Sequence, residues 1–178
     1  MKPRSLFLHV VMTLSVVEAV QAQDPEICQA DPHFRDFDFW LGRWQVTARH
    51  SGKLAGTNLI RSVEGGCAIQ ENWTSQTGGT GLSLNWYDPA REKWRQVWVA
   101  RPGYVIDIEG GLVDGSMVLE GHITDYGEKI SHDFRGTWTP NADGTVRQFF
   151  EQFSATDETW KPWFDGLYTP LKKPADSQ

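Results

Sequence analysis

Glu71 is the side chain with the clearest capacity for chemistry in this sequence. It lies between Ile69 and Trp73 in an alternating run, and period-two alternation predicts that it points into a core of rings. Burial among rings raises the pKa of a carboxyl group, which prepares it to act as an acid or a base near neutral pH. The alternatives are an ion pair with Arg95 or Arg147, or a shifted register that leaves Glu71 in solvent.

His132 is a second candidate, because it shares an alternating face with Phe134 and Trp138. Three roles are open for its ring: a general base, an axial ligand to haem, or a core histidine whose hydrogen bonds are satisfied. A pair formed by Glu71 and Glu151 would suit acid–base chemistry on a sugar. The sequence therefore offers Glu71 and His132 as catalytic candidates without specifying a reaction.

Several common chemistries find no support in the motifs. The histidines form neither His-x-His nor His-x-x-x-His, and no His/Cys cluster has zinc spacing, so no metal site is predicted. Ser83 lacks a Gly-x-Ser-x-Gly context, and there is no Gly-rich phosphate loop. The formal net charge is −6 and no basic stripe is present, which argues against nucleic acid and anionic membrane surfaces as partners.

Residues 1–22 have the pattern of a cleaved signal peptide. A basic start with Lys2 and Arg4 precedes a mostly apolar run over 6–17 and a small-x-small site at 20–22. About twelve apolar residues are too few for a transmembrane helix, which needs about 20. We therefore expect an exported protein, periplasmic or secreted, with no membrane insertion after cleavage. The remaining chain is divided into a tether over 23–36, a β-barrel domain over 37–169 and a flexible tail over 170–178.

The two cysteines, Cys28 and Cys67, are the only ones in the chain. In an oxidising compartment such a pair is more often a disulfide than a redox site, and two free thiols are the alternative. A bridge would join the N-terminal tether to the region of the second hairpin. It would close a loop of about 40 residues and contribute about 3–4 kcal/mol in the chain-entropy account.

From residue 43 onward the pattern predicts ten antiparallel strands. Runs of about seven to ten residues rich in Val, Ile, Thr and aromatic residues are separated by Gly, Asn, Asp and Pro. Uniformly short connections favour an up-and-down barrel over a β-sandwich, which needs longer crossovers. The aromatic stretch 37–46 predicts a short helical plug that ends at Gly42 and leads into the first strand. The predicted fold is therefore all-β, an approximately ten-stranded antiparallel barrel with an N-terminal helical plug.

Alternation along the strands also predicts which side chains face the interior. The fourth strand is expected to point Leu82, Leu84 and Trp86 inward. In the ninth strand two faces stay open, one that carries Phe149 and one that carries Phe150. The predicted interior is aromatic, with a few polar groups placed among the rings.

Nine tryptophans either fill such a barrel or line a cavity for one small molecule. We predict a cavity that binds a small apolar or aromatic ligand. An isomerase, hydratase or lyase that uses Glu71 and His132 on an apolar substrate is one alternative, and a filled barrel that binds another protein is a second. The residues predicted to surround the ligand are Trp44, Glu71, Trp73, Gln96, Trp98, His132 and Trp138.

Four motifs stand out beyond these patterns: Phe-Asp-Phe-Trp-Leu-Gly-x-Trp over 37–44, Gly-Gly-Cys-x-Ile-Gln-Glu-Asn-Trp over 65–73, Leu-Asn-Trp-Tyr-Asp over 84–88 and Phe-Asp-Gly-Leu-Tyr over 164–168. Together they resemble a group of largely uncharacterised exported bacterial proteins that are assigned a calycin-like, lipocalin-type barrel. The resemblance implies this fold and export, and it implies no reaction. The Gly-x-Trp start is similar to that of lipocalins and, more loosely, of nitrobindin-type haem barrels. Because the haem-binding histidine of nitrobindins has no clear counterpart here, no cofactor is predicted.

Overall fold

The computed structural model describes residues 27–101 and 103–171. The predicted signal peptide (1–22) lies outside the described residues, as do the start of the predicted tether (23–26) and most of the predicted tail (172–178). No helix within the described ranges is long and apolar enough to cross a membrane.

The described chain begins with short helical segments and continues as ten strands. The segments before the first strand are the α-helix α1 (Ile27–Ala30) and two 3₁₀ helices, Pro32–Arg35 and Asp38–Trp40, and a further 3₁₀ turn spans Glu64–Gly66. The strands are β1 (Gly42–Ala48), β2 (Leu54–Val63), β3 (Ala68–Ser75), β4 (Thr80–Asp88), β5 (Lys93–Ala100), β6 (Tyr104–Val113), β7 (Ser116–Asp125), β8 (Ile130–Pro140), β9 (Val146–Ser154) and β10 (Thr159–Pro170).

Every strand pairs antiparallel with its neighbours in the chain, and β1 pairs with β10 to close the barrel. The closing register runs from Trp44 opposite Pro170 to Ala48 opposite Gly166. Closure leaves no sheet edge free for pairing with another chain. The predicted ten-stranded, antiparallel, up-and-down barrel is confirmed.

An aromatic plug, defined as residues 37–40, enters one end of this barrel. The rings of Phe37 and Trp40 are fully buried and stack with centroids 4.9 Å apart. Phe37 also meets Trp138 edge to face at 5.2 Å and Trp94 at 5.7 Å. Gly42, at φ +146°, makes the turn from the plug into β1, a conformation that L side chains rarely adopt.

The plug is held in place by a disulfide and an arginine. Cys28 and Cys67 form the predicted disulfide, with Cα atoms 5.0 Å apart, and this joins α1 to the turn before β3. The Arg35 guanidinium donates hydrogen bonds to the backbone carbonyls of Cys28 and Gly66. These contacts attach the segment before the plug to the barrel rim.

The prediction for the inner face of β4 is wrong. Ser83 and Asn85 are buried, whereas Leu82 and Leu84 lie on the outer wall, 50% and 43% exposed. The reason is the register: Ser83 pairs with Glu71 across β3 and β4, so the polar residues of β4 share the inner face with that carboxylate. The hydrophobicity of the leucines therefore pointed to the wrong side of the strand.

The ambiguity in β9 is resolved in favour of the face that carries Phe150. Gln148 and Phe150 are buried in the interior. Glu151 is directed to the outer wall, where Arg135 Nη2 lies 2.7 Å from its Oε2. Glu71 and Glu151 therefore lie on opposite faces of the barrel wall and form no carboxylate pair.

We expect the aromatic plug to be a major source of stability. Replacing Trp40 by Ala removes a fully buried indole and should lower the free energy of unfolding by about 3–5 kcal/mol, measured by urea denaturation. Trp86→Ala is the matched control, because Trp86 is partly exposed on the outer wall under the Arg95 guanidinium. Equal losses in the two variants would contradict this role of the plug.

Removal of the disulfide should also destabilise the fold. The Cys28→Ser/Cys67→Ser double variant frees a segment with a sequence separation of 39, and loop-closure entropy predicts a loss of about 3–4 kcal/mol. Denaturation of the parent with and without reductant gives an independent measurement. A loss below about 1 kcal/mol would show that the loop is already constrained in the unfolded chain.

Candidate functional site: a ring-lined cavity above a polar layer

A continuous layer of polar side chains crosses the middle of the barrel interior. Its members are all buried and come from six different strands. We call it the polar layer; it consists of Asn58, Glu71, Ser83, Asn85, Gln96, Gln148 and Tyr168.

Glu71 is the only ionisable carboxyl group in this layer. Asn58 Nδ2 donates to its Oε1 at 2.6 Å, and Ser83 Oγ donates to its Oε2 at 2.7 Å. Burial raises the pKa of Glu71 to about 7, because desolvation outweighs the stabilisation of the anion by these two hydrogen bonds. The group therefore changes charge within the physiological pH range.

One arm of the polar layer extends from Ser83 to β5. Asn85 Nδ2 donates to Ser83 Oγ at 2.9 Å and to the Ile69 carbonyl at 3.1 Å. Gln96 Nε2 in turn donates to Asn85 Oδ1 at 2.7 Å. Because each hydrogen bond of this arm is donated towards Glu71, the arm orients the Ser83 hydroxyl towards the carboxylate.

The other arm extends from Asn58 to β9. The second hydrogen of Asn58 Nδ2 is donated to the Tyr168 hydroxyl at 3.1 Å, and that hydroxyl donates to Gln148 Oε1. Burial raises the pKa of Tyr168 well above its ordinary value, and the nearby charge of Glu71 raises it further. Asn58 Oδ1 is buried and has no hydrogen-bond partner among the described residues.

On the side of the polar layer away from the plug lies a cavity of about 160 Å³, which we call the inner cavity. Four members of the polar layer contribute to its lining: Glu71, Gln96, Gln148 and Tyr168. The rest of its wall is apolar and mostly aromatic, formed by Trp73, Trp98, Tyr104, Ile106, Phe150, Trp163 and Phe164. A dry apolar cavity of about 150 Å³ can hold benzene, so the inner cavity matches a ligand with one ring.

Two of the wall rings lie directly against glycines of neighbouring strands. A Cβ atom built on Gly81 would lie 2.2 Å from the Trp98 ring, and one built on Gly56 would lie 2.8 Å from the Trp73 ring. The missing side chains let both indoles approach the backbone closely. The rings therefore cover the wall and leave the middle of this part of the barrel open.

Trp163 separates the inner cavity from a larger groove at the open end of the barrel. The pairing of β9 with β10 shifts register between Pro162 and Phe164, which places Trp163 at a bulge. Its ring reaches Phe134 on β8 at 5.5 Å and Tyr104 on β6 at 5.6 Å. The indole is 41% exposed and lines both the inner cavity and this outer groove, whose volume is about 400 Å³.

The structure distributes the predicted site residues over three places. Trp44 lies with the plug, since its Nε1 donates to the Trp40 carbonyl at 2.9 Å, and Trp138 packs on Phe37. His132 lines the outer groove and does not share a cavity with Glu71. The residues that line the inner cavity as expected are Glu71, Trp73, Gln96 and Trp98.

The ion-pair alternative for Glu71 is not observed. Arg95 pairs with Asp107 and Arg147 with Asp165, each at 2.9 Å on the outer wall. No group of three or more His, Cys, Asp or Glu side chains within 27–101 and 103–171 is arranged to hold a metal ion.

Sequence reasoning missed five of the seven residues of the polar layer and most of the rings contributed by late strands. Asn58 alternates with Ile60 in β2, and Ser83 alternates with Asn85 in β4, which is a signal for one shared face. That signal did not say which face is inner. Phe164 and Trp163 were hidden by the bulge, because a bulge breaks the period-two alternation.

No protein-family model matches the chain, and no curated protein matches it. The resemblance to exported calycin-like proteins stays a prediction that rests on the four motifs.

The charge of Glu71 should make stability depend on pH. Its folded-state pKa, about 7, lies above the ordinary value of 4.5, so the folded state binds the proton more tightly. Its contribution is complete below pH 4.5 and is lost as pH rises through 7. Relative to Glu71→Gln, the parent should lose about 3 kcal/mol of unfolding free energy between pH 4.5 and pH 8, measured by urea denaturation.

Glu151→Gln is the control for this measurement, since it removes a carboxylate from the outer wall and retains Glu71. Its free energy of unfolding should therefore change with pH as that of the parent does, and should differ from that of Glu71→Gln in the same way. A parent and a Glu71→Gln variant with parallel pH profiles would show that Glu71 is not desolvated in solution.

Proposed function

We propose that this protein is a small-molecule-binding barrel that holds one apolar or aromatic molecule of single-ring size in the inner cavity. The observation that carries the proposal is a cavity of about 160 Å³ whose wall is mainly aromatic and whose floor is polar. Ligand sites in proteins typically combine an apolar lining with a few polar groups that orient the ligand.

The placement of the rings supports a binding cavity over a filled core. At the plug end the rings of Phe37, Trp40 and Trp138 pack on one another and fill that end of the interior. At the other end Trp73 and Trp98 lie against Gly56 and Gly81 and line the inner cavity. The same residue type therefore fills one half of the barrel and lines the other half.

We further infer that the protein works outside the cytoplasm, in a periplasm or in the extracellular medium. The disulfide between Cys28 and Cys67 supports this location, because disulfides persist in oxidising compartments. The signal-peptide pattern of residues 1–22 points to the same route. The closed up-and-down barrel agrees with the calycin-like class that the motifs resemble.

A second candidate function is acid–base catalysis on an apolar substrate, as in an isomerase, hydratase or lyase. It is favoured by Glu71, whose pKa of about 7 suits a general base at neutral pH. His132, the other acid–base candidate, lies in the outer groove. Turnover of a bound ligand, lost in Glu71→Gln while binding is kept, would move this candidate ahead of simple binding.

We expect Trp98→Ala to weaken the binding of single-ring ligands such as toluene, indole and p-cresol by about tenfold. The indole supplies contact area on one wall of the cavity, and a buried aromatic contact is worth about 1.4 kcal/mol or more. Isothermal titration calorimetry measures the affinity, and circular dichroism confirms that the variant is folded.

Trp86→Ala is the matched control for this prediction, because it deletes an indole from the outer wall. It should leave every affinity within about twofold of the parent value. If Trp98→Ala binds like the parent, the cavity assignment is wrong. If the parent binds none of these ligands, the filled-core alternative becomes the better description.

A further inference from the structure

Within residues 27–101 and 103–171, Glu71 is a buried carboxylate with no countercharge beside it. Its side chain is 3% exposed, and its hydrogen-bond partners, Asn58 and Ser83, are neutral. None of the salt bridges among the described residues involves Glu71. The arginines on nearby strands, Arg61 on β2 and Arg95 on β5, make their contacts on the outer wall. A buried charge is costly unless it is paired, so ionised Glu71 would be stabilised by a cationic partner.

The carboxylate also has unused capacity to accept hydrogen bonds towards the inner cavity. Each of its oxygens accepts one hydrogen bond, whereas an ionised carboxylate offers about four lone-pair sites. Because Glu71 lines the inner cavity, its carboxylate offers acceptors and negative charge there and favours a ligand group that donates hydrogen bonds and carries positive charge.

The wall of the inner cavity suits the same kind of group. The rings of Trp73, Trp98, Tyr104, Trp163 and Phe164 surround the space next to Glu71. Aromatic faces attract cations, and rings arranged around a carboxylate form a usual environment for an organic ammonium group. The formal net charge of −6 also favours the approach of a cation.

We propose that the ligand of the inner cavity is a small protonated amine of single-ring size, whose ammonium group pairs with the Glu71 carboxylate while its hydrocarbon part packs on the aromatic wall. This inference rests on the proposed binding function and adds the chemical class of the ligand. The ammonium donates hydrogen bonds to Glu71 and supplies the countercharge that the barrel wall lacks.

The ionisation of Glu71 then couples binding to pH. With a pKa near 7, the carboxyl group is mostly protonated at pH 6 in the empty protein, and pairing with an ammonium group requires that it release its proton. The other titratable groups that feel its charge are Tyr104 and Tyr168, whose pKa values are both raised. Both phenols therefore stay protonated up to pH 8, and no charged side chain contacts Glu71 among the described residues.

The test compares benzylamine with two neutral ligands of the same ring, benzyl alcohol and toluene, by calorimetry on the parent protein. At pH 8 benzylamine should bind at least about tenfold more tightly than benzyl alcohol. At pH 6 its binding should release close to one proton, seen as a dependence of the binding heat on the ionisation enthalpy of the buffer, and toluene should release none. A measurement on the parent alone thus tests the pairing.

Two variants complete the test. Glu71→Gln should bind benzyl alcohol and toluene but lose the preference for benzylamine and its proton release. Glu151→Gln, which removes a carboxylate from the outer wall, should keep both. Neutral ligands that bind at least as tightly as benzylamine at pH 8, or an amine preference that survives in Glu71→Gln, would overturn this inference and leave the proposed function standing. Absence of binding by all three ligands would overturn both.

Discussion

Closing ten strands into one barrel creates an interior that the wall side chains alone do not fill. Barrels of about eight strands are just wide enough for their side chains to pack, and additional strands leave more room. Here the chain supplies its own filling at one end, where Phe37 and Trp40 enter between Trp94 and Trp138. The plug reaches only part of the way. The remaining half of the interior holds the inner cavity, so the position of the site follows from the length of the plug.

The polar layer is the boundary between these two halves. Asn58 and Ser83 both donate to the Glu71 carboxylate, and Asn58 also donates to the Tyr168 hydroxyl on the other arm. A hydrogen-bonded polar network in a low-dielectric interior orients its members strongly. The network therefore holds Glu71 at the floor of the cavity, while burial brings its pKa to about 7. The same desolvation that destabilises the anion makes it a strong partner for a cationic ligand.

Predictions from sequence succeeded where the signal is local. The turn residues between the strands identified all ten strands, and the two cysteines identified the disulfide. Alternation placed Glu71 and Trp98 on inner faces correctly, because apolar neighbours accompany them. It failed in β4, where Leu82 and Leu84 are the more hydrophobic set but lie outside. Alternation groups the residues of a strand into two faces, but it does not identify the inner face where the interior is polar.

The sequence by itself determined the strand count, the plug, the disulfide and the aromatic character of the interior, because each depends on residues close together in the chain or on composition. Only the tertiary structure decided which rings fill the plug end of the barrel and which rings line the inner cavity. Trp138 and Trp98 both lie against a wall glycine, yet Trp138 packs on Phe37 of the plug and Trp98 lines the inner cavity. That difference arises from barrel closure, which sets the height of every residue relative to the plug. His132 was separated from Glu71 for the same reason.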